Sequence, residues 1–268
     1  MLKKILFIIS LSLIFNNVIL GNDGKEFIIY ATPTKPFKIS PTKGISIEIL
    51  QLVMKDMKIS NYKFKFVAAV KRAVEYAKRG RCSMLIGYSI KKSRLSFLAY
   101  PQKSYRRIKW NFFIRKEDKN KIFYNKLEDL KNYTIGVTRG TSYTEEFWKA
   151  EKFLKFDYAS KNNLQIKKLI GKRFDLVPLN TRSTLYESKE AGVLDKIDYL
   201  KKPLKDKLYY DPICIHSDFF KPTSHENTTR EEKIKKFLKQ YDRIIEKLEK
   251  DGTINRIYEE YGYKYKLK

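Results

Sequence analysis

The sequence predicts an α/β protein with mostly parallel sheets, organised as two similar units. Apolar, strand-like segments alternate with helical segments along the chain, which is typical of parallel strands connected by helices. The same strand–helix order occurs once before a charged linker at residues 116–121 and once after it. The alternation predicts the fold class, and its repetition predicts the two units.

The first unit begins with a short, β-branched strand at residues 27–31, followed by a proline-rich turn. Gly44 then opens a helix whose apolar residues recur at helical spacing: Ile45, Ile49, Leu52, Val53 and Met57. Alternation and apolar runs predict the remaining elements of this unit, which are a half-exposed strand at 62–67, a helix at 68–79 and buried strands at 82–87 and 110–115.

The second unit repeats this pattern. Its predicted elements are a helical turn at 127–130, a strand at 133–138, a helix from Thr144, a short helix at 162–170 and a strand at 174–179. A further strand at 213–216 precedes a strongly amphipathic C-terminal helix. Thr229 and Glu232 form a capping box at the start of that helix, and Asp251-Gly252 ends it.

The composition indicates a folded protein without a nucleic-acid partner. With 43% hydrophobic and 14% aromatic residues, the chain can bury a substantial core and is not disordered. A formal charge of +27 is compatible with nucleic-acid binding. The lysines, however, are spread through every predicted helix and loop, and export would separate the protein from nucleic acid. We therefore expect no such partner.

Residues 1–21 have the three parts of a secretory signal peptide. Lys3 and Lys4 precede an almost wholly apolar run at 5–20, which ends at the small residue Gly21. The alternative is a membrane anchor. A spanning helix needs about 20 predominantly apolar residues, and two central asparagines interrupt this run. We therefore expect cleavage near Gly21 and a periplasmic mature protein.

Several weak motifs occur in the order found in one known family. The segment Gly44 to Ile49, then Leu85-Ile86-Gly87, then Ser89-Ile90 with Arg94, resembles successive signatures of the extracellular solute-binding proteins of family 3. These proteins serve polar amino-acid ABC transporters. The similarity continues through Leu127–Leu130, Ile135–Val137, Gly140-Thr141-Ser142, Gly171–Asp175 and Asp251-Gly252-Thr253.

The resemblance implies a type II periplasmic-binding-protein fold, in which two lobes are joined by two crossing strands and the ligand lies between them. Residues 22–115 and 206–268 would form the first lobe, and residues 116–205 the second. It also implies a monomer that captures a small polar, carboxylate-bearing solute for an ABC permease in the inner membrane. Two alternatives remain, a ligand-sensing subunit of a membrane receptor and a periplasmic dehydratase-like enzyme with Glu48 or Asp175 as a weak general-acid candidate.

Arg94 matches the family arginine that holds the ligand carboxylate. A guanidinium offers a planar fork of donors that meets a carboxylate in bidentate fashion and keeps its charge. The alternative is a solvated surface arginine among 57 basic residues, and the flanking Ser89-Ile90 pattern favours the ligand role. Ser89 itself follows a strand end and is expected to contribute its hydroxyl and backbone groups.

The second lobe is expected to contact the same carboxylate through Thr141 and Ser142. Unpaired N–H groups at a helix start favour an anion there, although an ordinary N-cap pair remains the alternative. Asn180 stands where the family usually has an aspartate that holds an α-ammonium group. Because asparagine supplies hydrogen bonds without charge, it disfavours a free α-amino acid and favours a carboxylate or a modified amine.

Further candidates are aromatic and cationic. Phe37, Tyr88 and Tyr105 are expected as cleft walls, against the alternative of core packing. Arg72 and Arg139 lie beside cleft-forming segments and are additional candidates for anion contacts.

The remaining chemistry-bearing residues point to no catalytic or metal site. Cys82 and Cys214 are either two buried thiols, which we favour, or a disulfide formed in an oxidising compartment. His216 and His225 have no Cys, Asp or Glu at metal-ligand spacing, and no nucleophile or phosphate-binding motif occurs. We therefore expect no catalytic residue, no metal and no cofactor.

Overall fold

The computed structural model describes residues 24–141, 143–159 and 164–267. The predicted signal peptide and Ser142 lie outside the described residues. The described chain forms two five-stranded sheets flanked by helices, which confirms the predicted α/β class. No helix in these three ranges has the length and apolarity needed to cross a membrane.

The first sheet has the strand order β2-β1-β3-β10-β4. Its strands are β1 (Phe27–Ala31), β2 (Tyr62–Phe66), β3 (Met84–Leu85), β4 (Leu98–Ala99) and β10 (Ile213–Cys214). β1 pairs in parallel with β2 and β3, whereas β10 is antiparallel to both of its neighbours. The sheet is therefore mixed, because its fourth strand returns from the other unit of the chain.

The second sheet has the strand order β7-β6-β8-β5-β9. Its strands are β5 (Arg106–Arg115), β6 (Thr134–Thr138), β7 (Lys155–Ala159), β8 (Leu176–Asn180) and β9 (Ile197–Tyr209). β6 is parallel to β7 and β8, whereas β5 is antiparallel to β8 and β9. Sequence patterning did not identify β7 or β9. β9 has neither an uninterrupted apolar run nor a regular alternation, and the alternation in β7 (KFDYA) is only five residues long.

The helices are α1 (Ile45–Asp56), α2 (Val70–Lys78), α3 (Glu145–Lys149), α4 (Gln165–Ile170), α5 (Thr181–Glu190), α6 (Arg230–Lys250) and α7 (Thr253–Glu260). The predicted capping box of α6 is present, with Glu232 N–H donating to Thr229 Oγ1 at 3.1 Å and Thr229 N–H donating to Glu232 Oε2 at 2.7 Å. Gly252 separates α6 from α7 in a left-handed conformation, with φ of 79°, as the predicted stop requires.

Strands β5 and β9 carry the chain between the two sheets. They pair from Arg106 with Tyr209 to Arg115 with Ile197, and the register shifts on either side of Asn111. Asn111 donates from Nδ2 to the carbonyl of Leu200 at 2.8 Å. The Trp110 side chain packs against the cores of both units. These two strands therefore fix the position of each unit relative to the other.

The structure joins Cys82 and Cys214 in a disulfide, with their Cα atoms 6.2 Å apart. This differs from our preference for two unpaired thiols. Cys82 directly precedes Ser83 and β3, and Cys214 lies on β10, which is the hydrogen-bonded neighbour of β3. Adjacent strands therefore bring the two Cα atoms within the separation that a disulfide requires.

Removing this disulfide should lower the free energy of unfolding by about 2–4 kcal/mol. The cross-link closes a sequence separation of 132 residues and restricts the unfolded chain more than the folded one. Thermal unfolding with and without a reductant measures the effect, and the double variant Cys82→Ser/Cys214→Ser, whose Tm should not respond to the reductant, is the control. Two reactive thiols in the unfolded, unreduced protein would contradict the bond.

Candidate functional site

A cleft of about 600 Å³ lies at the carboxyl ends of the parallel strands. It is lined by the segments after β1, β2, β3 and β6, by the end of β8 and by the first two turns of α5: Thr32–Thr34, Ala68–Lys71, Gly87–Ser89, Gly140-Thr141, Leu179-Asn180, Ser183-Thr184 and Glu187. Side chains of β5 and β9 form its floor. Ligands of open α/β sheets commonly bind in this position, because the strand ends converge there and leave backbone groups accessible.

Arg94 lines the cleft. It ends a 3₁₀ turn, Lys92–Arg94, and its side chain is half-buried. Arg94 Nη1 donates to the Ser89 carbonyl at 2.9 Å, and the guanidinium carbon lies 5.2 Å from the centre of the Tyr88 ring. These two contacts orient the guanidinium, while its other N–H groups can reach a ligand.

Ser89 and Tyr88 also line the cleft. Ser89 is 5% exposed, and its carbonyl accepts hydrogen bonds from Arg94 and, at 3.1 Å, from the Tyr100 hydroxyl. The Ser89 carbonyl is therefore engaged in positioning Arg94, while the Ser89 side chain is hydrogen-bonded to Tyr209. Tyr88 is 3% exposed and supplies an apolar wall beside the cation.

Thr141 lines the cleft on the opposite side, after the left-handed Gly140 (φ of 75°). The following helix does not begin there. Its N-cap is Thr144, whose hydroxyl accepts from the Phe147 N–H at 3.2 Å. Thr141 therefore belongs to the turn and does not cap the helix. Its predicted partner in ligand binding, Ser142, lies outside the described residues.

Asn180 lines the cleft at the end of β8 and has a structural role there. Its Oδ1 accepts from the Ser183 N–H at 3.2 Å and caps α5. The side-chain amide Nδ2 carries no charge, so Asn180 adds a donor to the site without the anion that an α-ammonium would need.

Phe37 does not line the cleft, which corrects its prediction as a cleft wall. It is fully buried, with the Arg106 guanidinium carbon 4.1 Å from its ring centre and Tyr258 on another side at 6.3 Å. Tyr105 is likewise buried and donates its hydroxyl to Asp211 at 2.6 Å. Both rings support the residues behind the cleft because aromatic side chains at these positions fill the core.

Two further arginine candidates also lie elsewhere. Arg72 and Arg139 are exposed and do not contribute to the cleft lining. The guanidinium carbon of Arg139 lies 4.4 Å from the centre of the Tyr158 ring. Arg139 follows β6 directly but packs over β7, because Tyr158 stands on that neighbouring strand.

The floor of the cleft contains residues that the sequence did not reveal. Arg106, Ile108 and Trp110 alternate along β5 and point to the same side, and Tyr209 and Lys205 are the β9 partners of Arg106 and Trp110. Alternation in the segment RRIKW could have shown that Arg106, Ile108 and Trp110 share one side of a strand. It could not show that this side faces the cleft, because that depends on the pairing of β5 with β9.

Positive charge dominates the cleft lining. Among the residues that the structure describes, it includes one acidic residue, Glu187, and six cationic ones: Lys38, Lys71, Lys91, Arg94, Arg106 and Lys205. Burial lowers the pKa of Lys205 to about 8, with the nearby charges of Lys207 and Arg94 acting in the same direction. An anion in the cleft would reduce this repulsion, so the lining favours anionic over cationic ligands.

Asp211 is buried behind the cleft floor at 2% exposure. Its Oδ2 accepts from the hydroxyls of Tyr105 at 2.6 Å and Tyr241 at 2.8 Å, and its Oδ1 accepts from the Gly87 N–H at 2.8 Å. Burial raises the pKa of the Asp211 carboxyl, although the three donors and Arg106 oppose that shift. The network fixes Gly87 and thereby the strand end that leads to Ser89.

The comparisons with known proteins agree with this arrangement. The model of the bacterial extracellular solute-binding proteins, family 3, matches residues 28–264. The chain belongs to this family. A search of the curated proteins finds no match to this sequence.

Solved structures similar to this family 3 protein show the same fold. One, from a study of glutathione import through GshT and the cystine ABC importer TcyBC of Streptococcus mutans, has a TM-score of 0.67 at 19% identity and covers 91% of this chain and 98% of that one. The GluR0 ligand-binding core from Nostoc punctiforme, in complex with L-glutamate, has a TM-score of 0.65 at 16% identity, with coverage of 88% and 98%.

A third similar structure is the ancestral amino acid-binding protein AncCDT-1, a precursor of cyclohexadienyl dehydratase. It has a TM-score of 0.61 at 16% identity and covers 90% of this chain and 96% of that one. The similarities confirm the predicted type II periplasmic-binding-protein fold, and family membership assigns the protein to solute binding.

The acidic residues that we considered as general acids have structural partners in this family 3 protein. Glu48 accepts from the Gly44 N–H at 3.1 Å and from the Tyr261 hydroxyl. Asp175 accepts from the Thr134 N–H at 2.8 Å and pairs with Arg115 at 3.3 Å. Neither lines the cleft. Within the ranges that the structure describes, no group of three or more His, Cys, Asp or Glu side chains is placed to hold a metal ion.

Proposed function

We propose that this solute-binding protein captures a small carboxylate-bearing solute between its lobes and delivers it to an ABC importer of the inner membrane. The cationic lining around Arg94 carries this proposal. A hydrogen bond to a charged group contributes about 1.5–3 kcal/mol, and a guanidinium fork can form two with one carboxylate.

The other cleft residues support this assignment. Ser89 holds Arg94 in place, while Asn180 brings an amide donor from the opposite side of the cleft, which Thr141 also lines. The N-terminus of α2 also reaches the cleft at Ala69 and Val70, and no side chain caps it. Its N–H groups favour a negative charge. Together these groups suit one carboxylate.

We also propose the lobe boundaries and cellular location that follow from this function. The first lobe extends from residue 22 into β5 and resumes from β9 to residue 268, with β5 and β9 as the crossing strands. The boundary expected at residue 115 moves into β5, because Phe112, Phe113 and Ile114 pack in the cores of the second unit. After removal of residues 1–21, the mature protein is a periplasmic monomer. A dehydratase-like activity has less support, because among the described residues the cleft lining offers only Glu187 as an acid.

A thermal-shift screen of amino acids, dicarboxylates and small peptides tests the proposal. A ligand present at 100 times its Kd stabilises the folded protein by about 2.7 kcal/mol, which raises the Tm of a protein of this size by roughly 5–10 °C. We expect carboxylate-bearing compounds to produce such shifts and their amides or esters to produce smaller ones.

Sugars and polyols without a carboxylate serve as controls in the screen and should leave the Tm unchanged. A protein stabilised by these compounds alone would not have the proposed function. Each stabilising compound is also incubated with the protein and analysed for products, since turnover would indicate an enzyme. Ligand uptake by cells with and without the intact gene tests delivery to the importer.

A further inference from the structure

Two buried cationic side chains line the cleft in addition to Arg94. Lys38 is 4% exposed and Arg106 is 3% exposed, yet both line the cleft. Lys38 comes from the loop between β1 and α1, and Arg106 is the first residue of β5. Charged side chains at this depth are costly unless a partner compensates them, so the pair requires an explanation.

The two side chains converge on the segment that follows β3. Lys38 Nζ donates to the Ile86 carbonyl at 3.2 Å. The Arg106 guanidinium lies beside Gly87, the residue after Ile86. A Cβ atom added at Gly87 would be only 2.3 Å from Arg106 Nη1. The absence of a side chain at Gly87 therefore allows the guanidinium to lie next to Lys38, against the electrostatic repulsion between them.

The protein compensates these charges only partly. Both oxygens of the nearby Asp211 already accept hydrogen bonds from Tyr105, Tyr241 and Gly87. Among the described residues, neither Lys38 nor Arg106 has a carboxylate within salt-bridge distance, and Arg106 Nε has no hydrogen-bond partner. An anion bound in the cleft would compensate the remaining positive charge of Lys38 and Arg106.

This cationic pair makes contacts that differ from those of Arg94, although Tyr209 is close enough to both arginines for their charges to oppose the burial that raises its pKa. Arg94 contacts Ser89 and Tyr88, whereas Arg106 contacts Phe37 and, with its guanidinium carbon 6.0 Å from the ring centre, Tyr209. The cleft therefore has two groups of positive charge, one at Arg94 and one at Lys38 and Arg106. A single carboxylate bound to Arg94 would leave the group at Lys38 and Arg106 without an anion.

We infer that the cleft binds a dicarboxylate, with one carboxylate on Arg94 and the second at Lys38 and Arg106. This inference rests on the proposed function and narrows its ligand class to compounds with two carboxylates, acidic amino acids included. The first carboxylate gives general affinity for carboxylic acids, and the second gives selectivity against their half-amides.

Titration calorimetry with matched pairs of ligands tests the inference. Each pair differs in one carboxylate replaced by an amide: glutamate and glutamine, aspartate and asparagine, succinate and succinamate. Because a charge-assisted hydrogen bond is lost with the amide, the dicarboxylate of at least one pair should bind at least about tenfold more tightly. Inorganic phosphate is included as an anion without the two-carboxylate geometry.

Two variants assign the selectivity to its residues. Lys38→Gln and Arg106→Gln should each bring the Kd of the dicarboxylate close to that of its half-amide, while the Kd of the half-amide changes little. Lys63→Gln, which removes an exposed charge of β2 outside the cleft, is the matched control. Unfolding curves show whether each variant folds. If the Arg106→Gln variant does not fold, the Lys38→Gln variant still tests the inference.

The inference is overturned if half-amides bind as tightly as dicarboxylates, if phosphate is the only anion bound, or if no dicarboxylate binds at millimolar concentration. It is also overturned if a folded Lys38→Gln variant keeps full selectivity. A monocarboxylate ligand would overturn only this inference and would leave the proposed function in place. Failure of every carboxylate in the wider screen would overturn both.

Discussion

Replacing Arg94 with alanine should weaken binding of the carboxylate ligand by at least about a hundredfold. The guanidinium is held in place by a hydrogen bond to the Ser89 carbonyl at 2.9 Å and by the Tyr88 ring. Two charge-assisted hydrogen bonds to a carboxylate together contribute about 3–6 kcal/mol. Half-burial of Arg94 moderates the loss through solvent screening, so we expect an effect toward the lower end. Titration calorimetry with the best ligand from the screen measures it.

Arg72→Ala is the matched control for this substitution. Arg72 is exposed on α2 and does not line the cleft, so its removal should leave the Kd within about twofold of the original, as for other exposed charges. Arg94→Lys keeps the charge but loses the planar fork, and we expect an intermediate affinity. Without ligand, Arg94→Ala should unfold at nearly the original temperature. Tight binding by the Arg94→Ala variant would place the carboxylate elsewhere in the cleft.

The local part of this site was predictable from the sequence. Arg94, Ser89 and Tyr88 follow a short buried strand, and Asn180 ends another, so strand prediction together with the family motifs placed them in the cleft. Such residues are found from sequence because the strand ends that carry them have local patterns of apolar residues and turns.

The floor of the cleft was not predictable in the same way. Arg106 and Lys205 acquire their roles through the pairing of β5 with β9, whose partners are about a hundred residues apart in the chain. The sequence KKPLKDKLY within β9 has no clear alternation, because its surroundings change from the second core to the cleft along its length. Phe37 was misplaced for a related reason, since only the folded structure shows that Arg106 lies between it and the cleft.

The buried charges also connect binding to stability. Burial lowers the pKa of Lys38 well below its ordinary value, and the adjacent charge of Arg106 acts in the same direction. The same burial lowers the pKa of Arg106. The charged forms of both side chains are therefore costly in the ligand-free protein, and an anionic ligand that stabilises them would relieve that cost on binding. The residues of the floor are thus organised for an occupied cleft, and Asp211 is the acid that partly compensates them when the cleft is empty.

Replacing Asp211 with alanine should therefore lower the free energy of unfolding by about 3–5 kcal/mol. The substitution leaves the hydroxyls of Tyr105 and Tyr241 and the N–H of Gly87 without their acceptor in a buried environment. It also removes the acid that acts electrostatically on Arg106. Chemical denaturation of the ligand-free protein measures the loss.

Two further variants show whether this loss reflects the buried network. Asp211→Asn keeps one acceptor oxygen but turns donor N–H groups toward the remaining donors, so we expect a smaller loss of about 1–3 kcal/mol. Asp206→Ala breaks the ion pair that Asp206 forms with Arg107 at 2.7 Å, where the two side chains are 22% and 36% exposed. Because solvent screens that pair, its loss should cost less than about 1 kcal/mol. Equal losses for Asp211→Ala and Asp206→Ala would show that the buried network around Asp211 does not stabilise the cleft floor. The expected difference would show that the three donors to Asp211 and the charge of Arg106 depend on this carboxylate.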